Sequence, residues 1–292
     1  MVDDIKLLMI GMSSETYRIG NKVANICHVL LDDPAITQQN LEAYQTESLV
    51  YQILGEHPRI GRVELEFYPN GNLKDYLEKN YSSTTEVDKK RWALQMIESV
   101  FYIHSKGVRH ADLRLDQWLL DQGNARLWRA AQGLECSSHW LPRPDDVDSS
   151  VQTDLFALGS SLYELMAGQM PFARIDDHTI DVRYAERIFP TTEGLSLGIE
   201  ITRCWNQAFT TAEEFLNTAR SKLSEATETS FSVDITMTPS GMGRAVEEED
   251  IHAIVDSLNQ NVKPNVYEFE PAVEQKSCPT INHPIRYPHR AL

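Results

Sequence analysis

The densest run of groups that could do chemistry lies between Gly107 and Asp121, GVRHADLRLDQWLLD, where His110, Asp112, Asp116 and Gln117 fall within eight positions. An imidazole and carboxylates so close together are the groups that general acid–base work uses. Sulfur chemistry is poorly served by comparison. The four cysteines, at 27, 136, 204 and 278, stand far apart with no CxxC pair. That spacing suits neither a zinc site nor a disulfide framework, and it points to a reducing compartment, cytoplasmic or nuclear.

Charge narrows the partners. Lys plus Arg is 27 against 43 Asp plus Glu, a formal net charge of −16 over 292 residues. A surface this acidic repels phosphate backbones and anionic lipid, so nucleic acid and membrane are not the expected partners. Asp3 and Asp4 precede the first apolar stretch where a secretion signal would carry positive charge. No apolar run approaches the roughly 18 residues of a membrane span.

The elements that must position these groups change character along the chain. Residues 1–31 alternate short apolar pieces with turn formers, the pattern of two or three short strands. From Gln38 to Gly55 the residues Leu41, Tyr44, Ser48 and Tyr51 recur at helical spacing and predict a helix with that face inward. RVELEFY, 62–68, alternates again like a strand and closes at Pro69-Asn70-Gly71. Beyond it the pattern is helical. Trp92, Met96, Val100 and Ile103 form one apolar stripe; Val151, Leu155, Leu158, Leu162 and Leu165 form a stronger one. Thr210 or Thr211, followed by Glu213 or Glu214, reads as a capping box. Residues 223–292 hold 11 acidic and 5 basic residues with much Ser, Thr and Pro, which predicts a mostly disordered tail with one short helix near 247–258.

HADLRLDQ, 110–117, resembles the HRDLKPEN of eukaryotic protein kinases, and DLFALG, 154–159, resembles their DxWxxG. LPRPD at 141–145, RCW at 203–205, HPRI at 57–60 and EFYPNGNLKDYL at 66–77 resemble further family segments in the same order. HADL is also similar to the HGDL of choline and aminoglycoside kinases, but FALGSSLYE and CW favour the protein-kinase branch. The resemblance covers about residues 5–222, is nearest to compact kinase-like proteins of filamentous fungi, and implies an α+β, two-lobed fold. Its β-rich N-lobe would span about 1–68, shortened where the family has a hairpin, and its helical C-lobe about 69–222.

The resemblance also assigns roles. Asp112 matches the catalytic aspartate, Gly11 is what remains of the glycine-rich loop, Asn25 stands at the strand lysine, and Glu47 matches the helix glutamate. Leu65, Glu66 and Tyr68 match the gatekeeper and hinge, Leu119 the floor of the adenine slot, and Trp128 a pocket position that is often small. Gln117 replaces the metal-binding asparagine, Arg129 the metal-binding aspartate, and Ala111 the arginine that receives an activating phosphate. Asp154 would hold the catalytic-loop backbone. An amide carries no full charge toward phosphate, and an arginine repels Mg²⁺. The expected cofactors are therefore none for certain: ATP binding stays open, and Mg²⁺ is not expected to be held. Two readings follow, a pseudokinase that acts through protein partners, or a working Ser/Thr kinase in which Lys22 or Arg129 handles phosphate. Arg129 is separately expected to pair with Glu47, forming the salt bridge that Asn25 no longer can.

Overall fold

The computed structural model describes residues 5–11, 13–20, 22–30, 32–60, 65–128, 135–144 and 146–225. Strands β1 (Ile5–Ile10), β2 (Ser14–Ile19) and β3 (Lys22–Cys27) form an antiparallel meander. The β2–β3 turn includes Gly20 at φ +60°, a conformation that favours glycine. A two-residue strand, β4 (Leu65–Glu66), pairs with β3 and completes a sheet of order β1-β2-β3-β4. The three early strands and the strand near Tyr68 agree with the alternation in the sequence. Residues 61–64, the rest of the predicted fourth strand, lie outside the described residues.

Helix α1 (Pro34–Leu54) starts where Asp33 accepts the Ile36 N–H and Pro34 fills the first turn, and it stops at Gly55, φ +61°. Of the four residues of the predicted inward face only Tyr51 is buried. Asn40, Val50, Tyr51 and Leu54 are buried, whereas Leu41 and Tyr44 are exposed. This helix carries apolar residues on several sides, so spacing alone does not select the buried stripe.

The second lobe is helical: α2 (Leu73–Asn80), α3 (Glu86–Ser105), α4 (Val151–Ala167), α5 (Asp177–Ala185), α6 (Gly198–Trp205) and α7 (Ala212–Glu225). A hairpin of β5 (Trp118–Asp121) and β6 (Asn124–Leu127) turns on Gln122 and Gly123, both at positive φ. All four predicted stripe residues of α3 are buried, as are Leu155, Leu158, Leu162 and Leu165 of α4, which is covered almost all round. Reciprocal capping boxes open α3 at Thr85 and α4 at Ser150. At α7 the Thr211 hydroxyl accepts the Glu214 N–H while the Glu214 carboxylate accepts the Thr210 N–H. The tail predicted from 223 lies outside the described residues beyond 225. Among the described residues no helix is long and apolar enough to cross a membrane.

The lobes are joined behind the site. Leu127 donates its N–H to the Arg59 carbonyl, Arg59 pairs with Glu98 of α3, and His57 stacks on Tyr102 with ring centroids 3.7 Å apart. Within the large lobe α4 and α6 approach closely at Gly159. A Cβ at Gly159 would stand 2.7 Å from the Cys204 Cβ. Gly159→Ala is thus expected to force the two helices apart at a cost of about 1–3 kcal/mol, read as a lower urea midpoint at unchanged slope.

Candidate active site

The loop between α3 and β5 is held by one buried carboxylate. Asp154, in the first turn of α4, accepts the backbone N–H groups of His110 (2.8 Å) and Ala111 (2.9 Å), and its Oδ2 lies 2.9 Å from His104 Nε2. Burial by itself would raise its pKa, but the His104 contact and the backbone donors outweigh that and hold the carboxyl below the usual range. Ala111 sits at φ +61°, a costly conformation for a residue with a Cβ, and its N–H is one of those that Asp154 fixes. The role expected of Asp154 is therefore present in the geometry.

Asp112 follows directly and is buried. Arg114 clasps it with a fork, Nε to Oδ1 at 2.7 Å and Nη2 to Oδ2 at 3.0 Å. Burial pushes the Asp112 carboxyl above its ordinary range, and Arg114 pulls it back. Burial also works against the Arg114 charge, yet Asp112 outweighs it and raises the guanidinium pKa further. Two short parallel N–H···O contacts are the geometry of an ion pair. Sequence reasoning missed Arg114. The signal was available, because it stands at the lysine of the HRDLKPEN pattern.

Gln117 is buried beside them. Its Nε2 lies 3.3 Å from Asp112 Oδ2 and 3.3 Å from Asp116 Oδ1. Turning the amide over would set its carbonyl oxygen against two carboxylates, so the N–H₂ end belongs there. The residue expected at the metal-binding position thus presents a donor to the acid next to it. Among the described residues no three His, Cys, Asp or Glu side chains come together as a metal site. A clasped Asp112 and a Gln117 turned this way do not fit Mg²⁺, which takes hard oxygen ligands.

On the sheet, Asn25 pairs in register with Thr16, and the Thr16 hydroxyl donates to Asn25 Oδ1 at 2.7 Å. Thr16 is buried and was not foreseen, since only the strand register reveals it. Lys22 stands three residues from Asn25 on a strand whose pairing with β2 runs without a break, so it lies on the opposite face, and the bulge needed to bring it round is not there. Arg18, two positions along β2 from Thr16 and on the Asn25 side, stacks its guanidinium 3.9 Å from the Phe67 ring centroid.

The remaining expected positions are placed as follows. Gly11 closes a turn by donating its N–H to the Ser14 carbonyl. Leu65 and Glu66 pair with Val23 and Lys22 through the backbone, Tyr68 is buried, and Leu119 bridges to Asn72. Glu47 is half-buried on α1. Arg129 lies outside the described residues, and with it the expected Arg129–Glu47 pair.

Below the loop the chain is tied by side chains that the sequence did not single out. The Ser161 hydroxyl donates to the Leu113 carbonyl at 2.5 Å and lies 3.2 Å from His139 Nε2. His139 Nδ1 lies 2.9 Å from the Ser138 hydroxyl, and the Tyr184 hydroxyl donates to the Ser138 carbonyl. Glu135 pairs with Arg143, whose guanidinium also stacks on Trp140.

Comparison with known proteins agrees with this frame. A family model described as protein tyrosine and serine/threonine kinase matches residues 41–221. The chain is 30% identical over 159 residues to CBL-interacting protein kinase 8 of Oryza sativa subsp. japonica, covering 48% of this chain and 35% of the relative. It is 29% identical over 165 residues to CBL-interacting serine/threonine-protein kinase 8 of Arabidopsis thaliana, covering 51% and 37%. Serine/threonine-protein kinase SIK1 of Rattus norvegicus is 30% identical over 172 residues, 49% of this chain and 22% of that protein. The chain spans well under half the length of these relatives. With the family model matched across more than half of its residues, and a carboxylate-anchored loop between a small sheet and a helical lobe, this chain belongs to the protein tyrosine and serine/threonine kinase family.

Proposed function

We propose that the chain is a pseudokinase, a kinase-fold protein that acts by binding protein partners with little or no phosphotransfer. The observation that carries this reading is the set of donors around Asp112. Arg114 donates to both carboxylate oxygens and Gln117 adds an amide N–H₂ to Oδ2, so three donors, one of them cationic, weaken this carboxylate as an acceptor for a further hydroxyl. A catalytic aspartate must accept a hydrogen bond from the incoming hydroxyl, and the residue at Gln117 must turn oxygen toward a cation. Asn25, a neutral amide bonded to Thr16, leaves the triphosphate without the strand lysine's charge. Removing one such electrostatic contact from a closed site costs about 10²–10³ in rate, and here at least two are gone.

A nucleotide titration tests this. ATP with Mg²⁺ is expected to raise the melting temperature of the full chain no more than ATP with EDTA, and transfer to a generic peptide is expected to stay at background. The competing reading is an active Ser/Thr kinase in which Asp112 positions the substrate hydroxyl. It calls for Mg²⁺-dependent stabilisation by ATP, since a ligand of the native state raises apparent stability, and for transfer that Asp112→Ala abolishes.

A further inference from the structure

A second cluster of nucleophilic and basic side chains lies beneath the Asp112 loop. Cys136 caps the 3₁₀ turn Ser137–His139, its carbonyl accepting the His139 N–H. The turn sets the Cys136 Sγ 3.3 Å from His139 Nδ1 and 3.2 Å from the Ser138 hydroxyl. Cys136 is half-buried and keeps some contact with solvent, whereas Ser138 and His139 are buried.

The bonds on the far side of the ring fix its tautomer. The Ser161 hydroxyl has one proton and commits it to the Leu113 carbonyl. Toward His139 Nε2 its oxygen must then accept, so the ring proton sits on Nε2 and Nδ1 carries the lone pair. That lone pair faces Cys136 and Ser138. A nucleophile in contact with a basic nitrogen, and a base held in place by a third group, is the arrangement that activates a thiol. The Arg114 guanidinium is near enough to interact with the charge of a Cys136 thiolate, and a neighbouring cation favours the ionised sulfur. Burial, then the Arg114 and Lys74 charges, hold the His139 pKa at about 3, so the ring passes a proton on rather than keeping it.

We propose that Cys136 is a nucleophile toward small hydroperoxides, with His139 as its base and Ser161 as the residue that orients the base. With hydrogen peroxide, the sulfur attacks one oxygen and an S–O bond forms as the O–O bond breaks. The thiol proton passes through His139 Nδ1 to the departing hydroxide, which leaves as water. The thiol is oxidised to a sulfenic acid and the peroxide is reduced. Two features favour a peroxide over a bulky carbon electrophile: the half-buried sulfur limits what can reach it, and the Ser138 hydroxyl beside it can donate to the departing oxygen. The step needs neither nucleotide nor phosphotransfer, so it stands or falls separately from the pseudokinase reading.

Treating the full chain with hydrogen peroxide in the presence of dimedone, a trap for sulfenic acid, and following each cysteine by peptide mass spectrometry tests this. Cys27 is the internal reference, since it is also half-buried but sets its sulfur against the His28 carbonyl rather than a basic nitrogen. Cys136 is expected to be trapped at least about tenfold faster than Cys27, and His139→Gln to remove that advantage. Loosening of the turn alone would expose the sulfur and raise its rate, so the direction of the change separates a lost base from a disturbed fold. Ser161→Ala removes the acceptor of the Nε2 proton and is expected to slow trapping as well; it replaces His139→Gln if that variant loses the native circular dichroism. A native Cys136 trapped no faster than Cys27 overturns the proposal. So does a rate that is unchanged or increased in the folded variant.

Discussion

Replacing Asp154 by alanine is expected to destabilise the protein by about 3–5 kcal/mol, the cost of removing one member of a buried charged network. The carboxylate serves two backbone N–H groups and a histidine ring at once, all in its two oxygens. Truncation leaves those donors buried without an acceptor and releases Ala111 from the left-handed conformation that Asp154 holds. In urea the midpoint should fall by about 1–2 M at unchanged slope, and residues 107–117 should become the first site of limited proteolysis. Asp154→Asn keeps the shape but turns an N–H₂ toward other donors, so most of the loss should remain. Acid has a related effect. Because the folded carboxyl is held below its usual pKa, its contribution is present above about pH 4 and is lost as pH falls through the folded value. In the asparagine variant that limb of the profile should be missing. An alanine variant as stable as the native chain would show that the loop is held by something other than Asp154.

The same anchor clarifies what the site has kept and what it has changed. Asp154 fixes the backbone at His110 and Ala111, and that anchor is in place. Around it the polar side chains of the site bond to one another: Arg114 to Asp112, Gln117 to Asp112, Thr16 to Asn25. An isolated charge or amide in a closed cleft is costly, so when a ligand contact is lost the neighbouring groups are expected to satisfy one another.

Legibility in the sequence followed the physics of each element. The α3 and α4 stripes were readable because each helix is buried against neighbours along its length, so apolar spacing and burial coincide. The backbone contacts of Asp154 were readable from motif context. The α1 face was not, because exposed Leu41, Tyr44, Leu49 and Ile53 dilute the periodicity of the side that packs. Thr16 required the β2–β3 register, which no single strand encodes. Arg114 could have been flagged by its place in the motif, but its fork on Asp112 depends on a backbone turn that only the structure supplies. His139 carried no motif at all and became visible only as the link between two buried hydroxyls.

His139 gives the largest effect expected between neutral pH and the range where carboxylates titrate. Burial first, then the Arg114 and Lys74 charges, pull its pKa from 6.5 down to about 3. In the folded chain the ring is therefore neutral at pH 5, whereas in the unfolded chain it is mostly protonated. The unfolded state then binds more protons, so stability falls as pH drops through 6.5 toward 3. Between pH 7 and pH 5 this one group should remove about 2 kcal/mol, at 1.36 kcal/mol per pH unit below 6.5. The informative quantity is a difference between chains. His139→Gln should be less stable than the native protein at pH 7, by about 1–2 kcal/mol, because the contacts to Ser138 and Ser161 are disturbed. The gap should close by about 2 kcal/mol at pH 5, because glutamine takes no proton in either state. Urea midpoints of the two chains measured at both pH values decide it: converging lines support a neutral buried imidazole, and parallel lines refute it.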